Sequence, residues 1–179
     1  MSRFVKRGAP TLVAALGVVL IVAGCAGTTK VQPRKSAGVD FETFKARIVG
    51  SWAMVGEDGK PMPGAVLRSH TTANGSAVVE TIFPGDPHEM VSVYYQDGEG
   101  IVMTHYCALG NAPQMALSTE GDTWTFVCDG HDSNFAATDM HMHEGVIEWQ
   151  GPDRFRSRWT TLTDGEAGEP IEFEMVRID

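Results

Sequence analysis

The sequence predicts an all-β fold, an up-and-down antiparallel barrel of eight to ten strands with one short N-terminal helix. Three observations predict it. Short segments with period-2 alternation follow one another at roughly 50–56, 65–73, 76–83, 89–96, 100–107, 113–118, 123–128, 141–149, 154–162 and 170–178. Turn residues separate them: Asp58-Gly59, Asn74-Gly75, Pro84-Gly85-Asp86-Pro87, Asp97-Gly98, Glu120-Gly121-Asp122, Pro152-Asp153 and Asp164-Gly165. Gly and Asn supply positive φ there and Pro pre-sets the bend. Finally, helical periodicity is nearly absent, which excludes a parallel α/β sheet. A two-sheet sandwich is the structural rival.

The N-terminus comes first in the chain and reads differently. Arg3, Lys6 and Arg7 precede an apolar, uncharged run from Thr11 to Ala23. A basic start, a short apolar core and small residues at its end describe an export signal. The run is shorter than the roughly 20 apolar residues of a spanning helix. Its last residues, Val22-Ala23-Gly24-Cys25, resemble a bacterial lipobox. That resemblance implies cleavage before Cys25 and lipidation of its thiol and new amine, palmitate among the acyl chains. Residues 1–24 are therefore expected to be a lipoprotein signal peptide. Residues 25–38, polar and carrying Lys30, Pro33, Arg34 and Lys35, are expected to be a flexible tether to the membrane. The expected address is the bacterial cell envelope, facing periplasm or exterior.

The chain has 14 basic and 23 acidic residues. Removing residues 1–24 takes three basic residues and no acidic one, leaving 11 against 23 and a net charge of −12. Such a surface repels nucleic acid. Residues 39–179 suffice for one domain with one core. Asp40 can cap a helix over about 41–47 that aligns Phe41, Phe44 and Ile48 on one face. Gly50-Ser51-Trp52 then opens the first strand with a G-x-W start of the kind found in lipocalins.

Several further runs are distinctive: Gly75-Ser76-Ala77-Val78-Val79-Glu80-Thr81, Pro87-His88-Glu89-Met90-Val91, Thr104-His105-Tyr106-Cys107 with Gly110-Asn111 and Pro113, and His141-Met142-His143. Together they resemble a family of largely uncharacterised bacterial secreted proteins of the lipocalin-like type, over most of residues 48–179. The resemblance implies a calycin-type barrel and an exported location, and carries no assigned activity. The chain departs from that family's pattern at Ala112 and Gln114, where the family has Gln and Arg, and at Cys128.

Alternation and strand direction place the polar candidates. Ile101 and Met103 share a face with His105 and Cys107. Trp124 and Phe126 share one with Cys128. Ile147 and Trp149 share one with His141 and His143. In a meander, Cys107, Cys128, His141 and His143 should meet at one mouth of the barrel, with His105 deeper. The loop residues Asp129, His131, Asp132 and Asp139 lie above them, and Tyr106 and Asn111 fasten the 101–115 hairpin. Such a cluster suits two uses. It can hold zinc, copper or a haem iron, with His141, His143 and His105 as ligands, or it can be a hydrogen-bonded plug. Cys107 and Cys128 are the mature cysteines besides Cys25. A disulfide between them suits an exported protein, whereas two strand spacings exceed the reach of a bridge, so free thiols remain the alternative.

The barrel interior offers a third use. Trp52, Phe83, Trp124, Phe126, Trp149 and Trp159 would line a pocket for a small apolar or amphipathic ligand, or fill a core with no pocket at all. Glu80 and Glu89 can reach a cavity from their strands, although a solvated face is their commoner role. Neither a G-x-S-x-G elbow nor a carboxylate pair at glycosidase spacing is present, so an enzyme has the least support.

Overall fold

A computed structural model of the chain describes residues 35, 37–64, 66–128 and 134–179. The expected signal peptide, its cleavage site, Cys25 and most of the tether lie outside the described residues, as do Asp129, His131 and Asp132.

Helix α1 spans Phe41–Ile48. Asp40 caps it, its Oδ1 accepting from the Thr43 backbone N–H at 2.8 Å. Phe41, Phe44 and Ile48 face inward, as the i, i+3, i+7 spacing requires. The strands follow: β1 (Gly50–Met54), β2 (Leu67–Thr72), β3 (Ala77–Ile82), β4 (Met90–Asp97), β5 (Gly100–Tyr106), β6 (Gln114–Glu120), β7 (Thr123–Cys128), β8 (His141–Trp149), β9 (Arg154–Thr163), the two-residue β10 (Glu166–Ala167) and β11 (Ile171–Arg177). Each strand from β1 to β9 pairs antiparallel with the next, and β11 joins β9 to β1. Ten strands therefore close into a barrel, which leaves no long edge unpaired. The sandwich alternative does not hold.

Strand direction defines two ends. The upper end carries the ends of β1, β3, β5, β7 and β9 and the starts of β2, β4, β6, β8 and β11. Helix α1 lies at the lower end, just before β1. Lys45 Nζ donates to the Gly75 carbonyl in the β2–β3 turn at 2.9 Å, and Arg47 reaches Asp122 in the β6–β7 turn at 3.2 Å.

Aromatic side chains pack the lower half. The Phe44 ring lies 5.3 Å from Trp124 and 5.2 Å from Tyr94. Trp52 meets Phe155 at 4.8 Å, and Trp149 meets Trp124 at 5.1 Å. Trp52 is fully buried, and its indole N–H donates to the Ile48 carbonyl at 3.2 Å. Arg177, at the end of the last strand, stacks its guanidinium 4.2 Å from the Trp52 ring. The same group donates to the carbonyls of Val49 and Arg47 at 2.6 and 2.9 Å and to Asp153 at 3.0 Å. First strand, last strand and helix C-terminus are thus fastened at one point.

Candidate functional site

Among the described residues, the upper half of the barrel is not fully packed. It holds a cavity of about 150 Å³. Ile48, Phe155 and Met175 line it toward the packed half, and Leu67, Ile82, Phe83, Met90, Trp159 and Phe173 line it higher up. Ile171, also in the wall, is 56% exposed, so the cavity reaches solvent near the upper end. Phe83 takes φ 53°, a region that bulky residues rarely adopt. Its N–H donates to the Val66 carbonyl at 2.7 Å, and its ring meets Phe173 at 6.4 Å. Gly145 makes room on the facing wall, because a Cβ there would collide with the Trp159 ring.

Of the six aromatics expected to line a pocket, Phe83 and Trp159 do. Trp52, Trp124, Phe126 and Trp149 belong to the packed core instead. Sequence alternation cannot separate the two groups, since all six face inward and only height in the barrel distinguishes them.

A polar row crosses the inner wall. The ladders pair Ser69 with Glu80, Glu80 with Ser92, and Ser92 with His105, across four adjacent strands. All four residues are buried. The Tyr94 hydroxyl donates to Glu80 Oε1 at 2.8 Å. Burial pushes the Glu80 carboxyl up to about 7, against the smaller downward pull of that hydrogen bond. His105 Nδ1 lies 3.0 Å from Ser92 Oγ. Its Nε2 is buried and has no hydrogen-bond partner among the described residues. Burial lowers the His105 pKa to about 4, so the ring is neutral at ordinary pH. Glu80, Tyr94 and His105 all line the cavity. Glu80 thus belongs to the interior, not to a solvated face. The signal was present in the sequence: Val78, Glu80 and Ile82 share one face of β3, and a lone carboxylate between two aliphatics is what a polar site in an apolar wall looks like.

The expected mouth cluster forms in part. The 107–113 turn and the segment leading into β8 do meet at the upper rim. Asn111 Nδ2 donates to the Met140 carbonyl at 2.8 Å, and the Ala112 N–H donates to Asn134 Oδ1 at 2.7 Å. Donor atoms of Cys128, His141 and His143 lie within 4.8 Å of one another. Three expectations are corrected. Cys107 is outside this group, because Met103 pairs with Met115 and Met115 with Cys128, leaving Cys107 four residues beyond that row. Four residues of strand span about 13 Å, well over the roughly 7 Å limit for bridged Cα atoms, and both cysteines are free thiols. His105 is also outside the group and belongs to the cavity wall. Tyr106 points out, 54% exposed, so Asn111 fastens the hairpin without it.

The two rim histidines are also placed otherwise than simple alternation implies. Met142 pairs with Thr161 and Glu144 with Thr160, so a bulge at His143 interrupts the β8–β9 ladder. The extra residue shifts the pleat by one. Met142 therefore lines the cavity together with Ile147, while His141 pairs with Leu162. His141 is nonetheless buried, its ring stacked 4.4 Å from Phe135.

No protein-family model matches the chain, and no curated protein resembles it in sequence. The geometry of the cavity and rim therefore carries the functional argument.

Proposed function

We propose that the protein is a membrane-anchored envelope lipoprotein whose barrel binds a small, uncharged, largely apolar molecule with one hydrogen-bonding group. A single observation carries this reading: a neutral imidazole nitrogen, His105 Nε2, buried in the wall of an apolar cavity and unpartnered among the described residues. Buried polar atoms normally have partners, and a ligand hydroxyl or carbonyl would supply one. Below about pH 7 the protonated Glu80 carboxyl adds a donor nearby. The cavity volume sets the ligand's size. A dry apolar cavity of about 150 Å³ accepts a benzene-sized guest, whereas drug-sized ligands occupy roughly 300–1,000 Å³. A phenol or the end of a short alkanol suits it; a porphyrin is too large for it. An amphipathic molecule would seat its apolar end here and leave the remainder at the upper opening.

The anchor rests on the sequence at Cys25. Two or more acyl chains give stable membrane attachment where one gives marginal binding. The membrane is then the protein's first partner, and the 15 residues between Cys25 and Phe41 serve as a spacer.

The test uses full-length protein in detergent, titrated with hexan-1-ol and with phenol while tryptophan fluorescence is recorded. Trp159 lines the cavity, so a saturable change is expected in wild type. Ile82→Trp, which fills the cavity, should abolish it while leaving the fold intact by circular dichroism. An unsaturable response, identical in both proteins, contradicts the proposal. For the anchor, Cys25→Ala should release the protein from the membrane fraction and end labelling by radioactive palmitate.

A further inference from the structure

The rim carries an inference independent of the cavity ligand. Cys128 ends β7, and His141 and His143 open β8. His141 Nδ1 lies 2.7 Å from the Asp139 carbonyl oxygen. A carbonyl only accepts, so Nδ1 carries the proton and Nε2 keeps its lone pair. This is how ligating histidines are commonly oriented, with the outer nitrogen donating to a carbonyl or carboxylate. Phe135, stacked on the ring, holds its plane. His143 lies beside it, ring centroids 5.7 Å apart and nearly perpendicular. Among the described residues, the buried His143 Nδ1 has no hydrogen-bond partner. The bulge at His143 sets both rings beside one cysteine. Such irregularities commonly re-aim side chains at functional sites.

We propose that Cys128, His141 and His143 form a binding site for a thiophilic d¹⁰ cation, Zn²⁺ or Cu⁺. One sulfur and two imidazole nitrogens are donors that both ions accept. Ligands on a tetrahedral zinc stand about 3.3–3.6 Å apart, given bonds of about 2.0–2.3 Å. One donor atom from each of the three residues already lies within 4.8 Å of the other two. Binding converts the Cys128 thiol to thiolate and releases its proton to solvent. Three protein ligands leave a fourth position for water or another ligand, the arrangement of zinc sites that do more than brace a fold.

Full-length, metal-stripped protein in detergent is dialysed against Zn²⁺, and separately against Cu⁺ under reductant. Bound metal is counted by mass spectrometry, and alkylation of each cysteine by iodoacetamide is followed in its own peptide. One ion per chain is expected. Alkylation of Cys128 should slow by about tenfold or more, because the reactive thiolate is masked, with Cys107 unaffected. Cys107→Ser should bind as wild type, and Cys128→Ser and His143→Ala should not. The ion that protects at the lower free concentration is the site's cation. Absence of Cys128 protection by either ion overturns the proposal, as does undiminished binding by folded Cys128→Ser. Where a variant fails to fold, protection in wild type decides alone.

Discussion

Glu80 and His105 sit on the same inner wall with opposite linkage to pH. Glu80 has its pKa raised from 4.5 to about 7, so the unfolded chain loses that proton first. Its contribution to stability therefore falls as pH rises from about 4.5 to 7. His105 has its pKa lowered from 6.5 to about 4, so the unfolded chain gains that proton first. Its contribution falls as pH drops from about 6.5 to 4. Between pH 4.5 and 6.5 the two slopes largely cancel, and both side chains are mostly uncharged. Removing one group exposes the other. Relative to wild type, Glu80→Gln should gain stability as pH rises through that window, by about 1.4 kcal/mol per pH unit. His105→Gln should lose it with the same slope. Urea melts at several pH values measure both, and parallel curves for all three proteins would refute the assignment. Gly145 is the other decisive single residue. Gly145→Ala forces a methyl into the Trp159 ring and should cost about 1–3 kcal/mol in the same assay.

Among the elements, the joint between α1, β1 and β11 bears most on barrel closure. Arg177 bonds two carbonyls at the end of α1 and covers Trp52. Arg177→Met keeps the apolar stem but leaves those carbonyls without their cationic donor, and should cost about 2–4 kcal/mol. Trp52→Ala removes the buried ring itself and should cost about 3–5 kcal/mol. Both are read from chemical denaturation. The same joint shows what was legible beforehand. Asp40, the Phe41-Phe44-Ile48 face and the Gly50-Ser51-Trp52 start are local signals, and they place the helix and first strand within a residue or two. The strands likewise follow from alternation and turn residues. The bulge at His143 was not legible, because an inserted residue leaves the sequence alternation unchanged while reversing it in space. Nor was the four-residue offset of Cys107 from Cys128 along the barrel, which depends on the register between β5, β6 and β7.

At the scale of the whole molecule, the barrel divides into a packed lower half and a hollow upper half. Ten inward faces supply the same kinds of apolar residues throughout, so composition alone cannot show where packing stops. The division follows from α1, whose Phe41, Phe44 and Ile48 fill the lower end while no helix enters the upper one among the described residues. The polar row from Ser69 to His105 lies on the inner wall of this barrel. The rim bearing Cys128, His141 and His143 stands at the upper end, where Met142 also reaches the cavity wall.

The most direct test of cavity binding is ¹⁵N NMR of the His105 ring in full-length protein during titration with hexan-1-ol. A ligand seated in the cavity should shift His105 Nε2 saturably, and Ile82→Trp should suppress the shift. A His105 ring that stays unmoved while hexan-1-ol binds elsewhere, or does not bind, would contradict the account.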